Sequence, residues 1–312
     1  MWVFRLSLLC VMTFAVLTLT GVAPGRAQVQ WKADDATLLQ ANDAIERKQW
    51  PEAERLVRTY LGNHATSAQA HYLLAFTLFR EDRPKESLAE YTNAARLQNP
   101  SALDLRWVAL DYVLLHAYTD AHTWMVKSLE LNPNDGESWY SLGRIQYTEN
   151  RFAEAITSFN KALVLMPQSV KAEDNLGLAY EGLNQPKEAM AAYRQAIAWQ
   201  KDKPDHSEQP LLNLGVLLLD DNKPDEALPL LQEAESLSPK NSKIHAALGR
   251  LYRAKDDLAR AQTEFEQAVA LDPDSAGLHF QLGQVYRKEG LATLAATEFQ
   301  KVSSLGGTHS SE

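Results

Sequence analysis

Between residues 136 and 167 apolar and small residues recur every three or four positions, break over a short polar stretch, and recur again. This is the pattern of two amphipathic helices joined by a turn. Leu142, Gly143, Ala155 and Ala162 reappear 34 residues later as Leu176, Gly177, Ala189 and Ala196, and the aromatic Phe159 reappears as Tyr193. A helical period of this length predicts a stack of helix hairpins, because one hairpin cannot bury its apolar face alone.

Extending the period in both directions gives starts at Asp34, Ala68, Ala102, Gly136 and Val170, then, after a four-residue insertion, Glu208, Ser242 and Ala276. The eighth position of each repeat is Ala or Gly, from Ala41 and Ala75 to Gly249 and Gly283. The twentieth is Ala everywhere except Ser87, and the twenty-fourth is bulky: Val57, Tyr91, Met125, Phe159, Tyr193, Leu231, Phe265 and Phe299. Small positions facing large ones allow helices to approach to about 8–10 Å. Ser67, Ser101, Asp135, Ser169, Ser207, Asn241 and Ser275 stand just before repeats two to eight, where a side-chain oxygen can cap a new helix. Ser101 with Asp104 forms a capping-box-like pair. Position fifteen holds Asp82, Asn150, Asn184, Asn222, Asp256 or Gly290, residues that tolerate a left-handed helix end. Pro84, Pro186 and Pro224 follow two residues later, where a second helix can open.

Glycine or alanine at position eight, Tyr180, Tyr252 and Tyr286 at eleven, alanine at twenty, an aromatic at twenty-four and Pro133, Pro167, Pro239 and Pro273 at thirty-two resemble the tetratricopeptide repeat. The resemblance covers Asp34 to about Leu305 and is strongest over repeats four to eight; in repeats one to three alanine replaces the glycine, and Tyr60 fills a normally small position. It implies an all-α, right-handed superhelical solenoid of about eight hairpins with a concave inner groove that holds protein or peptide partners. The insertion, Lys201 to His206, reads as a charged surface loop.

Residues 1–27 read as an export signal, with Arg5 before the uncharged apolar stretch Leu6 to Val22 and small residues up to Ala27. Cleavage after Ala27 is expected, and an uncleaved membrane anchor is the alternative, since about 20 apolar residues span a bilayer. Either outcome puts the repeats outside the cytoplasm, periplasmic or extracellular. Residues 28–33 form a short leader and 306–312 an unstructured tail. Cys10, the sole cysteine, lies within the signal, so the mature chain has no thiol chemistry. The formal charge of −9 argues against a nucleic-acid partner.

No phosphate-binding glycine loop, nucleophile elbow, zinc-protease or calcium motif is present, and no stretch outside the repeats is long enough for a catalytic domain. No cofactor and no enzymatic activity are expected. His245 and His279 share position four with Trp139 and read as packing residues, too far apart to share a metal. His116 and His122 with Asp111 and Asp120 are irregularly spaced, and no metal is assigned.

Candidate chemistry therefore falls on the groove. Positions two, five, nine, twelve and thirteen of the first helices share a face opposite the packing stripe, and in the family that face is concave. Three zones result. Tyr72, Phe76, Phe79, Arg106, Leu110, Val113, Leu114, Tyr140, Arg144 and Tyr147 form an aromatic and aliphatic docking zone. Asn175 and Asn213, both at position six, resemble the asparagine ladder with which some family members hold an extended peptide backbone. Lys243, Arg250, Arg253, Arg287 and Lys288 form a basic end suited to an acidic partner. A carboxylate clamp of the kind that reads chaperone tails is rejected, because a clamp centred on Asn213 finds Lys243 but has Asp174, Leu178 and Ala247 where its other Lys, its other Asn and its Arg should be. The expected function is that of an exported, non-catalytic scaffold in an envelope-assembly, secretion or polysaccharide-export complex. The rival expectation is an accessory of a cell-wall or glycan-processing enzyme, and self-association through the last repeat is a third.

Overall fold

The computed structural model describes residues 36–201, 203–204 and 206–307. The proposed signal, leader and last five residues lie outside them. Among the described residues sixteen helices pair into eight hairpins: α1 (Ala36–Glu46) with α2 (Trp50–Asn63), α3 (Ala68–Arg80) with α4 (Pro84–Leu97), α5 (Ala102–Leu114) with α6 (Tyr118–Leu131), and α7 (Gly136–Thr148) with α8 (Phe152–Leu165). Then come α9 (Val170–Gly182) with α10 (Pro186–Gln200), α11 (Gln209–Asp220) with α12 (Pro224–Leu237), α13 (Ser242–Ala254) with α14 (Leu258–Leu271), and α15 (Ala276–Lys288) with α16 (Ala292–Gly307). α16 thus continues two residues past the limit expected at Leu305. Each helix packs on its predecessor and successor. The first helices of neighbouring hairpins also approach one another, α3 with α5, α7 with α9 and α11 with α13, so they form the inside of the curve.

The hairpins close on the small-to-large contact. Ala41, Ala75 and Ala109 are fully buried, as are the alanines or serine at position twenty in the first seven repeats. A Cβ built on Gly143 would stand 2.6 Å from Phe159 Cε1, and one on Gly215 would stand 2.6 Å from Leu231 Cδ2. Glycine is required there by the ring or branched side chain opposite, not by backbone conformation. Burying Phe159 or Phe265 completely contributes on the order of 2–3 kcal/mol each. From Ala189 in α10 to Ala295 in α16 runs one continuous core cluster, whereas the first four hairpins and α9 divide their buried residues among four smaller ones.

Local chemistry ends the helices. All six residues read as turn formers at position fifteen take positive φ, between 56° and 81°. Lys48 and His116, which occupy that position in repeats one and three, do the same at 59° and 57°, so stacking imposes the left-handed turn even without Asn, Asp or Gly. Ser67, Asp135 and Asn241 accept bonds from new helix amides, and Ser101 with Asp104 completes a capping box. Ser169 and Ser275 form no side-chain cap, a departure from expectation. At the insertion, the buried Gln200 donates to the Ser207 carbonyl at 2.9 Å and accepts from the Ser207 amide at 3.0 Å. That reciprocal pair pinches the loop shut and lets α11 stack on α10.

A groove with an aromatic end

The groove is built by the first helices, and its N-terminal end is aromatic. Phe76 meets Trp50 edge-on at 6.4 Å between ring centroids and lies 5.0 Å from Trp107; Phe79 lies 5.1 Å from Trp107. All four rings are half-buried. The guanidinium of Arg80 sits 4.6 Å over Trp50, and that of Arg106 sits 4.9 Å over Trp107. Trp50 and Trp107 escaped the sequence reading because Trp50 opens a second helix and Trp107 holds position six, outside the five positions taken as the face.

Tyr72 is a correction. It is 3% exposed, packs among Ala75, Tyr91, Ala94 and Val108, and its hydroxyl donates to the Gln98 carbonyl at 2.7 Å. Burial, reinforced by the Asp104 charge, pushes its phenol up to about 12. Arg106 is largely consumed too, pairing at 2.8 Å with Asp135, the cap of the next hairpin.

Further along, Leu110, Val113, Arg144 and Ile145 line a cavity of about 50 Å³ between α5 and α7. Arg144 is exposed, with its guanidinium 6.0 Å from the centroid of the half-buried Tyr140 ring. Lys171 Nζ stands 4.7 Å from that ring and 2.7 Å from a Glu137 carboxylate oxygen, so cations and π-face bridge the fourth and fifth hairpins.

The asparagine ladder is not free. Asn175 donates to the Lys171 carbonyl of its own helix at 2.8 Å. Asn213 donates to Asp174 at 2.9 Å and accepts from Gln209 at 2.8 Å. Asp174 is buried, and burial pushes its carboxyl up to about 7 against the opposing effect of Asn213. Nearby Glu181 is also raised by burial while accepting the Tyr193 hydroxyl. The middle of the groove is therefore a set of internally matched acids and amides.

At the basic end Arg250 pairs with Asp220 at 2.5 Å and Lys288 with Asp256 at 2.7 Å. Arg253 hydrogen-bonds Gln281, and burial together with the Arg250 charge lowers its pKa. Lys243 and Arg287 are exposed and carry no ion pair among the described residues; Arg287 lies 5.8 Å over Phe299. Of the five, Arg253 also lacks an acidic partner among the described residues but is half-buried, so Lys243 and Arg287 are the two exposed unpaired charges of this end.

Position four holds a device the sequence reading half saw. Trp139 Nε1 donates to the Pro133 carbonyl at 2.8 Å, and His245 and His279 direct Nε2 to Pro239 and Pro273 carbonyls, each at 2.9 Å. His71 does the same to Ala65 at 3.0 Å. Each histidine's Nδ1 also meets a glutamate nineteen residues on: Glu90 at 2.6 Å, Glu264 at 2.8 Å and Glu298 at 2.5 Å. The recurrent +19 glutamate was the signal in the sequence. Burial pulls the His245 imidazolium down, but the Glu264 and Pro239 acceptors outweigh it and leave its pKa raised. His116 meets Tyr118, and Asp111 is buried against Ser87, so these two do not join a cluster with His122 and Asp120.

Such a molecule belongs to the class of helix-hairpin solenoids. Models described as tetratricopeptide repeat match residues 38–102, 136–169, 174–203 and 218–274, together more than half of the chain. The chain belongs to the tetratricopeptide repeat family. It is similar to the mouse protein O-mannosyl-transferase TMTC3, at 26% identity over 50% of this chain and 19% of that protein. It is also similar to anaphase-promoting complex subunit 6 of Arabidopsis thaliana, at 23% identity over 48% of this chain and 28% of that protein. The chain thus spans under a third of these relatives' lengths. Among solved structures, the anaphase-promoting complex assembly Cut9-Hcn1 superposes with a TM-score of 0.63 at 18% identity, covering 88% of this chain and 53% of that one. The type IV pilus biogenesis factor PilW gives 0.60 at 20% identity, covering 65% and 92%. At these identities the likeness is one of fold.

Proposed function

We propose that this chain is a non-catalytic scaffold that holds a protein or peptide partner against the inner faces of α3, α5 and α7. The observation that carries the reading is the run of half-buried rings and aliphatics, Phe76, Phe79, Trp107, Leu110 and Tyr140, with the exposed Arg144 beside it. Aromatic and arginine side chains dominate interface energies because they remove much apolar area from water at low entropic cost. The rest of the groove is less available: Asn213 and Asp174 bond each other, Asn175 bonds its own helix, and two of the five cations of the basic end are ion-paired. The aromatic end is accordingly the anchor, and Lys243 with Arg287 steer an acidic segment at the far end.

Assembly roles in the names of the relatives, such as subunits of the anaphase-promoting complex and a pilus biogenesis factor, support a scaffold reading. Location outside the cytoplasm, in an envelope-assembly, secretion or export complex, rests on residues 1–27 alone; among the described residues no helix is long and apolar enough to cross a membrane. The test is the variant Phe76→Ala with Leu110→Ala. Loss of partner capture with unchanged helicity supports the reading, and unchanged capture removes the aromatic end from the function. A purified protein that turned over peptidoglycan or another glycan would favour the rival enzymatic reading.

A further inference from the structure

We propose that Glu235, His245 and Glu264 form a divalent transition-metal site that clips α12, α13 and α14 together. The ligand atoms of these three residues lie within 4.8 Å of one another, the only such trio of histidine, cysteine or acidic residues among the described residues. His245 Nδ1 stands 2.8 Å from a Glu264 oxygen and 3.9 Å from a Glu235 oxygen. Bonds of about 2.0–2.2 Å in a tetrahedral site place ligand atoms roughly 3.4 Å apart. Relative to His245 Nδ1, Glu264 would need to retreat and Glu235 to advance by roughly half an ångström, and the two carboxylate oxygens, within 4.8 Å of each other, would close towards the same spacing as the side chains turn.

The histidine is prepared for the task. Its Nε2 points at the Pro239 carbonyl at 2.9 Å, an oxygen that can only accept, so the proton on that nitrogen is held in place. In the neutral ring the lone pair then lies on Nδ1, between the two carboxylates. An imidazole whose far N–H is held by a backbone carbonyl is the outer-shell arrangement that orients metal-ligating histidines. The side chain of His245 is 2% exposed and that of Glu235 is 36% exposed, so the site is rigid on one side and open on the other, where water can complete the coordination.

Internal repetition supplies the control. His71 and His279 have the same carbonyl and the same +19 glutamate, and these pairs latch first helix to second without help. Ten residues before each stands Leu61 or Val269. Only the junction of the sixth and seventh hairpins carries an acid, Glu235, at that place. The latch needs one carboxylate; the second is what a cation requires. One imidazole and two carboxylates suit zinc and its neighbours better than calcium or magnesium, which take all-oxygen sets. Metal entry displaces the proton that lies between Nδ1 and Glu264.

The experiment is a calorimetric titration of the full chain with zinc chloride, repeated with calcium chloride and with the variant Glu235→Gln. That substitution leaves the His245–Glu264 bond in place, and circular dichroism checks that the variant is folded. The expected result is one saturable zinc per chain, a raised Tm, no response to calcium, and at least tenfold weaker zinc binding in the variant. Absence of saturable zinc binding, or zinc binding of parental affinity in a folded Glu235→Gln protein, would overturn the proposal.

Discussion

The Ser87 hydroxyl lies 2.6 Å from an Asp111 carboxylate oxygen and 2.9 Å from the Ala75 carbonyl. A hydroxyl has one proton and the carbonyl can only accept, so both contacts are satisfied together when Asp111 is the protonated acid and donates to Ser87. Asp111 is fully buried, its other oxygen has no partner among the described residues, and burial pushes its carboxyl up to about 7.

A pH dependence follows. In the unfolded chain the carboxyl ionises near 4, whereas in the folded protein it resists until about 7. The folded state binds the extra proton between those values, so this contribution is complete below pH 4 and is lost as pH rises towards and through 7. Asp174, also raised to about 7, acts in the same direction. Denaturant unfolding should show lower stability at pH 8 than at pH 5, by on the order of 2–4 kcal/mol for Asp111 alone. Asp111→Asn, a permanently neutral donor, should flatten that slope. An unchanged slope in the variant would show that Asp111 is ionised in the fold.

The hairpin contact predicts a steric cost. Gly143→Ala places a methyl 2.6 Å from the fully buried Phe159 ring, which has nowhere to retreat. A loss of about 1–3 kcal/mol is expected from overpacking. Phe159→Leu in the same chain should recover part of it, giving a coupling energy in a double-mutant cycle. Additive losses would mean that the two positions do not meet.

At the basic end the free charges should matter more than the paired ones. Charge reversal of Lys243 and Arg287 should slow association with an acidic peptide and weaken its salt dependence, as steering requires. Lys288→Ala, which breaks an exposed pair with Asp256, should change affinity and stability by less than about 1 kcal/mol. Equal effects from both would remove the distinction between free and paired cations.

The repeat frame was legible because every hairpin meets the same steric demand. Gly143 under Phe159 and Gly215 under Leu231 solve one problem with one pattern, repeated until the period stands out. The groove was less legible because it depends on which partner a side chain finds across hairpins. Tyr72 and Tyr140 both occupy position five, yet the Tyr72 hydroxyl reaches the end of α4 and is buried while Tyr140 stays partly open. Asn213 was read as a free amide because Asp174, 39 residues earlier, gave no hint of the bond between them. Trp107 was passed over through a rule about positions, although its ring joins Phe76 and Phe79.

Site-specific photocrosslinking in intact cells tests the scaffold reading most directly. A photoreactive residue placed at Leu110 or Arg144 faces the inside of the curve, and one at Val164, 79% exposed on the second helix α8, faces the outside. The account predicts that the two inner positions capture the same discrete partner band and that position 164 captures none. A partner captured at position 164 and not at 110 or 144 would contradict it.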